Sequence, residues 1–177
     1  RFNINIKNGR GETALSWAVR CDDAIVQLLL DAFPDVDTHQ VDNEGRSPLS
    51  YAVSHLDSKT IKLLLDHCPE SDVQHLNRPD NQGCTVVSYA SRKMGDDILR
   101  LFLGKFPQID VDTPDKDGWT PLRWALEGYY KGSALPSWDC MKVLLATRRV
   151  NPFHADFRGK SPFVRAQQRI YERKIKL

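Results

Sequence analysis

Four cysteines and five histidines are the residues of this 177-residue chain with the most chemistry to offer. Cys68 has His67 beside it and His75 seven positions on, residue types that ligate zinc. Zinc sites usually present two close-spaced ligand pairs, however, and no two of Cys21, Cys68, Cys84 and Cys140 form a C-x-x-C pair. No metal or cofactor is expected. Gly9-Arg10-Gly11 lacks the third glycine and the preceding strand of a dinucleotide fingerprint, and there is no Walker lysine. Neither H-E-x-x-H nor G-x-S-x-G occurs. His39, His55, His67, His75 and His154 fall mostly in expected loops or turns. Asp42, Asp80, Asp115 and Asp156 are accounted for by turn formation, which leaves no carboxylate pair for acid–base work. No catalytic arrangement emerges, and the chain is not expected to be an enzyme.

What positions these residues is a phrase repeated five times: a turn acid or amide, two residues, glycine, one residue, then threonine or serine. It runs Asn8 to Thr13, Asp42 to Ser47, Asp80 to Thr85, Asp115 to Thr120 and Asp156 to Ser161, with hydroxyl anchors 34, 38, 35 and 41 residues apart. A period in this range signals stacked units, none of which buries its apolar face alone. The D-x-x-G segment is turn chemistry, and the hydroxyl after it is a helix N-cap. Proline follows in Ser47-Pro48, Thr120-Pro121 and Ser161-Pro162, at the helical position where its missing N–H costs least.

Each first helix then carries an aromatic (Trp17, Tyr51, Tyr89, Trp124) expected to pack between units. An alanine follows it (Ala18, Ala52, Ala90, Ala125, with Ala166 in the fifth copy), small enough for neighbouring helices to approach. A second amphipathic helix is predicted from Ile25/Leu28/Leu29, Ile61/Leu64/Leu65, Ile98/Leu101/Phe102 and Met141/Leu144/Leu145. At about 1.5–3 kcal/mol for each fully buried large side chain, three per unit make a core if a neighbour covers them.

The pattern D-x-x-G-x-T-P-L-x-x-A followed by an apolar second helix resembles the ankyrin repeat, most closely from Asp115 to Ala125. The S-W-A and S-Y-A wording is similar to long arrays of filamentous fungi. The resemblance implies an all-α solenoid of helix-turn-helix units joined by β-hairpin-like loops, with four full repeats and a partial fifth. It is taken as a single domain over 1–177, with units at about 8–41, 42–79, 80–114, 115–155 and 156–177. The chain departs from the pattern where the family places histidine, which here is Ser16, Ser50, Ser88, Arg123 or Val164. The family's loop-bracing hydrogen bonds are accordingly in doubt. Proline (Pro34, Pro69, Pro107) stands where the family usually ends the second helix with glycine.

A hydrophobic content of 41% with 27% charged residues fits a folded, water-soluble chain, and its longest apolar runs fall far short of the ~20 residues of a bilayer span. Sparse cysteines favour reduced thiols and an intracellular location, cytoplasmic or nuclear. The net charge of +2 conceals a basic end, where Arg165, Arg169, Arg173, Lys174 and Lys176 face Glu172 alone. Ser161 precedes Ile175-Lys176-Leu177 by the same 14 residues that separate Ser47 from Ile61-Lys62-Leu63. The fifth unit is therefore expected to stop inside a second helix, the alternative being one long capping helix.

The expected function is a non-catalytic scaffold that binds a protein or peptide on its concave hairpin and first-helix surface. Alternatives are the recognition arm of a larger enzyme or signalling receptor, and nucleic-acid association through the basic end. No membrane or small-molecule ligand is expected. Candidate contacts are residues that the repeat does not require: Arg46, His55, Lys93, Lys116, Asp117, Trp119, Glu127, Tyr129, Tyr130 and Trp138. Further tip and helix-end positions of the same kind include Arg10, Glu12, Arg20, Asn43 and Glu44. Trp119 occupies a position held by Glu12, Arg46, Cys84 and Lys160 elsewhere, so packing does not demand an aromatic there. An insertion of about seven residues between Ala125 and Met141 brings Tyr129, Tyr130 and Trp138.

Overall fold

A computed structural model describes residues 3–55, 57–93, 95–128 and 137–175, with side chains for all of these except residues 170 and 172–175. Tyr129 and Tyr130 lie outside the described residues. The helices are α1 (Ala14–Ala18), α2 (Asp23–Ala32), α3 (Pro48–His55), α4 (Ser58–Asp66), α5 (Val73–Leu76), α6 (Val86–Arg92), α7 (Asp96–Lys105), α8 (Pro121–Glu127), α9 (Trp138–Ala146) and α10 (Pro162–Ile175). A 3-10 turn, Glu70–Asp72, leads into α5. No strand occurs among the described residues.

The five hydroxyl anchors start the first helices as expected. Thr13, Thr85 and Thr120 accept from the backbone N–H of Ser16, Ser88 and Arg123, and Ser47 and Ser161 do the same for Ser50 and Val164. Ser16, Ser50 and Ser88, in the family's histidine position, bond back to these caps through their hydroxyls at 3.0–3.2 Å. First helices α1, α3, α6, α8 and α10 pack successively on one another. Of the second helices, α2 packs on α4 and α7 on α9, each also against its own first helix. The result is an all-α solenoid of stacked helix pairs.

Each second helix is clasped to its first by one backbone bond at the recurring alanine. Asp22, Asp57, Gly95 and Ser137 donate to the carbonyls of Ala18, Ala52, Ala90 and Ala125 at 2.9, 3.1, 3.0 and 2.8 Å. Those donors are also the residues that precede α2, α4, α7 and α9. The alanines are buried to 4% exposure or less, so their small size and their carbonyls both serve the join.

Three expectations are corrected. Ile25 and Leu28 are 45% and 64% exposed, and Leu145 is 47% exposed, although Ile61, Leu64, Leu65, Ile98, Phe102 and Leu144 are buried as anticipated. The helix α2 has a second-helix neighbour, α4, on one side, so it buries Val26 and Leu30 instead. Trp17 is 58% exposed for the same reason and does not pack between units. Finally, the fifth unit contains no break before Ile175: α10 is continuous from Pro162, the alternative of one long helix. No glycine or proline interrupts residues 163–175.

The extra length of the second unit folds as the Glu70–Asp72 turn and α5, which sequence periodicity did not reveal. The fourth unit, with no proline in the three residues after α9, places Arg148 at φ 57°, the left-handed conformation that a glycine adopts without cost. Arg148 is exposed. Arg148→Gly should relieve about 1–2 kcal/mol of strain against some loss of chain entropy, a net gain of about 0.5–1 kcal/mol and a rise of about 2–3 °C in Tm. A lower Tm in thermal denaturation would contradict this account.

Candidate protein-binding face

The turns form one edge of the solenoid, and each is held by its acid or amide. Oδ1 of Asp42 accepts from the N–H groups of Glu44 and Arg46, both at 2.9 Å, and Asn8, Asp80, Asp115 and Asp156 repeat the arrangement. Successive turns are linked by one backbone amide each, with the Asn43 and Asn81 side-chain amides adding a second link at the first two junctions. Asn43 donates to Arg10, Asn81 to Glu44, Lys116 to Gln82 and Phe157 to Asp117, at 3.0, 2.8, 2.9 and 3.2 Å.

The loop brace doubted from the missing histidine is present, made by the aromatic one position later. The Tyr51 hydroxyl donates to Asp42 Oδ2 at 2.6 Å, the Tyr89 hydroxyl to Asp80 Oδ2 at 2.5 Å, and Trp124 Nε1 to Asp115 Oδ2 at 2.8 Å. Each aromatic follows its acid by nine residues, a spacing visible in the sequence once the partner is known. Burial followed by the Asp42 carboxylate pushes the Tyr51 hydroxyl up to about 12, so it remains a donor at neutral pH. Burial also opposes the charge of Asp42, but the Tyr51 hydroxyl, the Arg46 N–H and the Arg46 cation hold its carboxyl below the ordinary range. In Asp115, burial prevails over the Trp119 N–H and the Trp124 indole, and the carboxyl is raised.

Beside Tyr51 lies an open cleft of about 440 Å³ between the first two turns, lined by Arg10, Glu12, Arg20, Asn43, Glu44 and Arg46 among others. The guanidinium groups of Arg20 and Arg46 both lie over the Tyr51 ring, 5.2 and 4.8 Å from its centroid. Arg92 stands over Trp124 at 4.8 Å, and Arg123 over Trp119 at 4.7 Å. Rings and cations thus recur in units two to four. Glu12 is not a free contact: it is 5% exposed and bonded to Arg20 at 2.6 Å and to Asn8 at 2.9 Å.

Glu127 is likewise no free surface acid. Its carboxylate accepts from Arg123 in its own helix, from Arg165 Nε at 2.7 Å and from Arg169 Nη2 at 3.0 Å, with its side chain 15% exposed. Arg123 is itself 5% exposed and also lies 3.8 Å from Asp156 Oδ2. In the fifth unit Arg165 takes the aromatic position, and it reaches back to Glu127 instead of to its own turn. Burial would raise the Glu127 carboxyl, but the Arg165 hydrogen bond and the Arg123 and Arg165 charges bring it down to about 2.

The other candidates divide by place. Lys116 and Asp117 are exposed on the fourth turn, with their backbones in the amide ladder. Trp119 is half-buried, its ring tilted against Trp124 with centroids 4.6 Å apart. His55 and Lys93 end first helices, His55 exposed with Nδ1 2.9 Å from the Tyr51 carbonyl and Lys93 half-buried. Trp138 begins α9, 53% exposed.

Residues 1–77 match the family model described as "Ankyrin repeats (3 copies)". No curated protein matches the sequence. Among solved structures, an ankyrin repeat domain from Acinetobacter baumannii AYE is similar with a TM-score of 0.79 at 24% identity, covering 97% of this chain and 82% of that one. The ankyrin repeat protein EF0377 is similar with a TM-score of 0.77 at 22% identity, covering 97% and 81%. Turn, cap and helix pair recur from residues 1–77, which the family model matches, through the rest of the chain, which has the fold of solved ankyrin-repeat structures.

Proposed function

We propose that this chain is a non-catalytic protein-interaction scaffold that holds a protein or peptide segment along the turn edge and the first-helix face. We read it as one domain of four full units, at about 8–41, 42–79, 80–114 and 115–155, with a partial fifth over 156–177 and turns of β-hairpin type. The observation that carries the reading is the cleft beside Tyr51, where two successive units contribute ring, guanidinium and amide groups to one open surface. Arg46, Lys116, Asp117 and Trp119 continue that surface along the turns, and His55, Lys93 and Trp138 are the helix-end contacts. The recognition-arm alternative would use the same face. Nucleic-acid binding loses two of its proposed groups, because Arg165 and Arg169 turn inward to Glu127.

A photo-reactive side chain at position 116 should capture a protein from cell extract, whereas one at position 62, exposed on α4, should not. Equal capture at both positions would overturn the assignment of the face. With the captured partner, Trp119→Ala should weaken binding by about 2 kcal/mol, roughly 30-fold, measured by calorimetry. The lost Trp124 contact should also lower stability by about 1 kcal/mol. Unchanged affinity with reduced Tm would assign Trp119 to packing alone.

A further inference from the structure

The loop after α2, the end of α4 and the turn before α5 bring three different donor types together. His39 Nε2, Cys68 Sγ and an Asp72 carboxylate oxygen all lie within 4.8 Å of one another, with His39 Nε2 and Asp72 Oδ2 at 3.0 Å. Sequence spacing had offered His67 and His75 as companions of Cys68. The fold commits His67 Nδ1 to the Leu63 carbonyl at 2.9 Å and instead supplies His39, 29 positions upstream. His75 stacks on His39, with ring centroids 4.5 Å apart and planes 14° from parallel.

We propose that His39, Cys68 and Asp72 form a binding site for a zinc-like divalent transition metal. Donors around tetrahedral zinc sit at about 2.0–2.3 Å from the ion, and hence about 3.3–3.8 Å from one another. The three atoms need shifts on the order of an ångström to reach that spacing. The donor set combines thiolate, imidazole and carboxylate, all of which zinc accepts. One thiolate and one carboxylate also balance a dication, so the filled site carries no net charge into a place where Cys68 is 3% exposed. Ser71 Oγ donates to the other Asp72 oxygen at 3.3 Å, steadying the carboxylate. On binding, the Cys68 thiol releases its proton to water, the proton between His39 Nε2 and Asp72 passes through water to His39 Nδ1, and the metal takes its place. The fourth position goes to a water molecule. Because His39 belongs to the exit of the first unit and Asp72 to that of the second, the ion would join neighbouring units.

Cobalt(II) alone, added to the chain carrying Cys21→Ser to remove the exposed thiol, is the test. One equivalent should produce a thiolate-to-cobalt charge-transfer band and the strong visible bands of tetrahedral coordination, and zinc should displace both. His39→Gln and Asp72→Asn, at side chains 21% and 25% exposed, should each weaken binding at least 10-fold. Cys84→Ser, at a buried thiol elsewhere, should leave the bands intact. Absence of the thiolate band in the folded chain, or its full retention in His39→Gln, overturns the proposal, and neither readout depends on Cys68 variants folding.

Discussion

Replacement of Glu127 by alanine should destabilise the fold by about 3–5 kcal/mol, because breaking a buried ion pair from one side leaves its partners desolvated and poorly matched. Three guanidinium groups converge on this carboxylate, and the Arg123 side chain is 6% exposed, with Asp156 3.8 Å away as its more distant acid. The sign of the pH dependence follows from the carboxyl at about 2 in the fold against 4.5 for an ordinary glutamate. A depressed folded value contributes stability that is complete above the unfolded value and is lost as pH falls from near 5 toward 2. The amount is roughly 3 kcal/mol, at about 1.4 kcal/mol for each pH unit between the two values. Urea denaturation at pH 7 and pH 3 should therefore show a stability gap between the unmodified chain and Glu127→Gln that narrows at the lower pH. A variant within 1 kcal/mol of the unmodified chain at pH 7 would remove Glu127 from the join between α8 and α10.

Gly83→Ala should cost about 3–4 kcal/mol, from two causes that a control separates. Gly83 has φ +82°, which alone costs a residue with Cβ about 1–2 kcal/mol, and a Cβ there would stand 2.8 Å from the Asp115 Cα of the next turn. Backbone cannot yield as a side chain tip can, so overpacking adds a further 1–3 kcal/mol. Gly159 has φ +70° but nothing within 4 Å of its Cβ position. Gly159→Ala should thus pay the conformational term alone, about 1–2 kcal/mol. Faster hydrogen exchange at the Lys116 amide, which donates to Gln82, should accompany Gly83→Ala. Equal Tm losses in the two alanine variants would mean that the turns do not need close stacking.

The turn-and-cap phrase was legible because each part answers a local demand. Oδ1 of the acid binds amides two and four residues on, glycine takes positive φ, and the hydroxyl caps the helix, all within one unit. What escaped depends on neighbours. Ile25 and Ile61 look equivalent in sequence, yet Ile61 is buried and Ile25 is 45% exposed, because burial is set by the helix alongside. The Tyr51, Tyr89 and Trp124 braces were local enough to be found, but the missing family histidine drew attention to the wrong position. Glu127 read as a surface acid since its partners Arg165 and Arg169 lie about 40 residues on, in a helix whose course the repeat pattern misjudged. Trp119 departs from the repeat pattern, and its ring rests half-buried on Trp124.

The backbone clasp between Ser137 and Ala125 has a use in engineering. The chain leaves α8 at Gly128 and returns at Ser137 with the same join that the three shorter connections make, and the turn beyond still donates from Phe157 to Asp117. Alignment of the array is therefore indifferent to the length of what is spliced between those points, since doubling a flexible loop costs only about 0.6 kcal/mol. The equivalent connections from α1 to α2, from α3 to α4 and from α6 to α7 are ports where a foreign segment, an epitope or a reporter could be carried without retuning the stack.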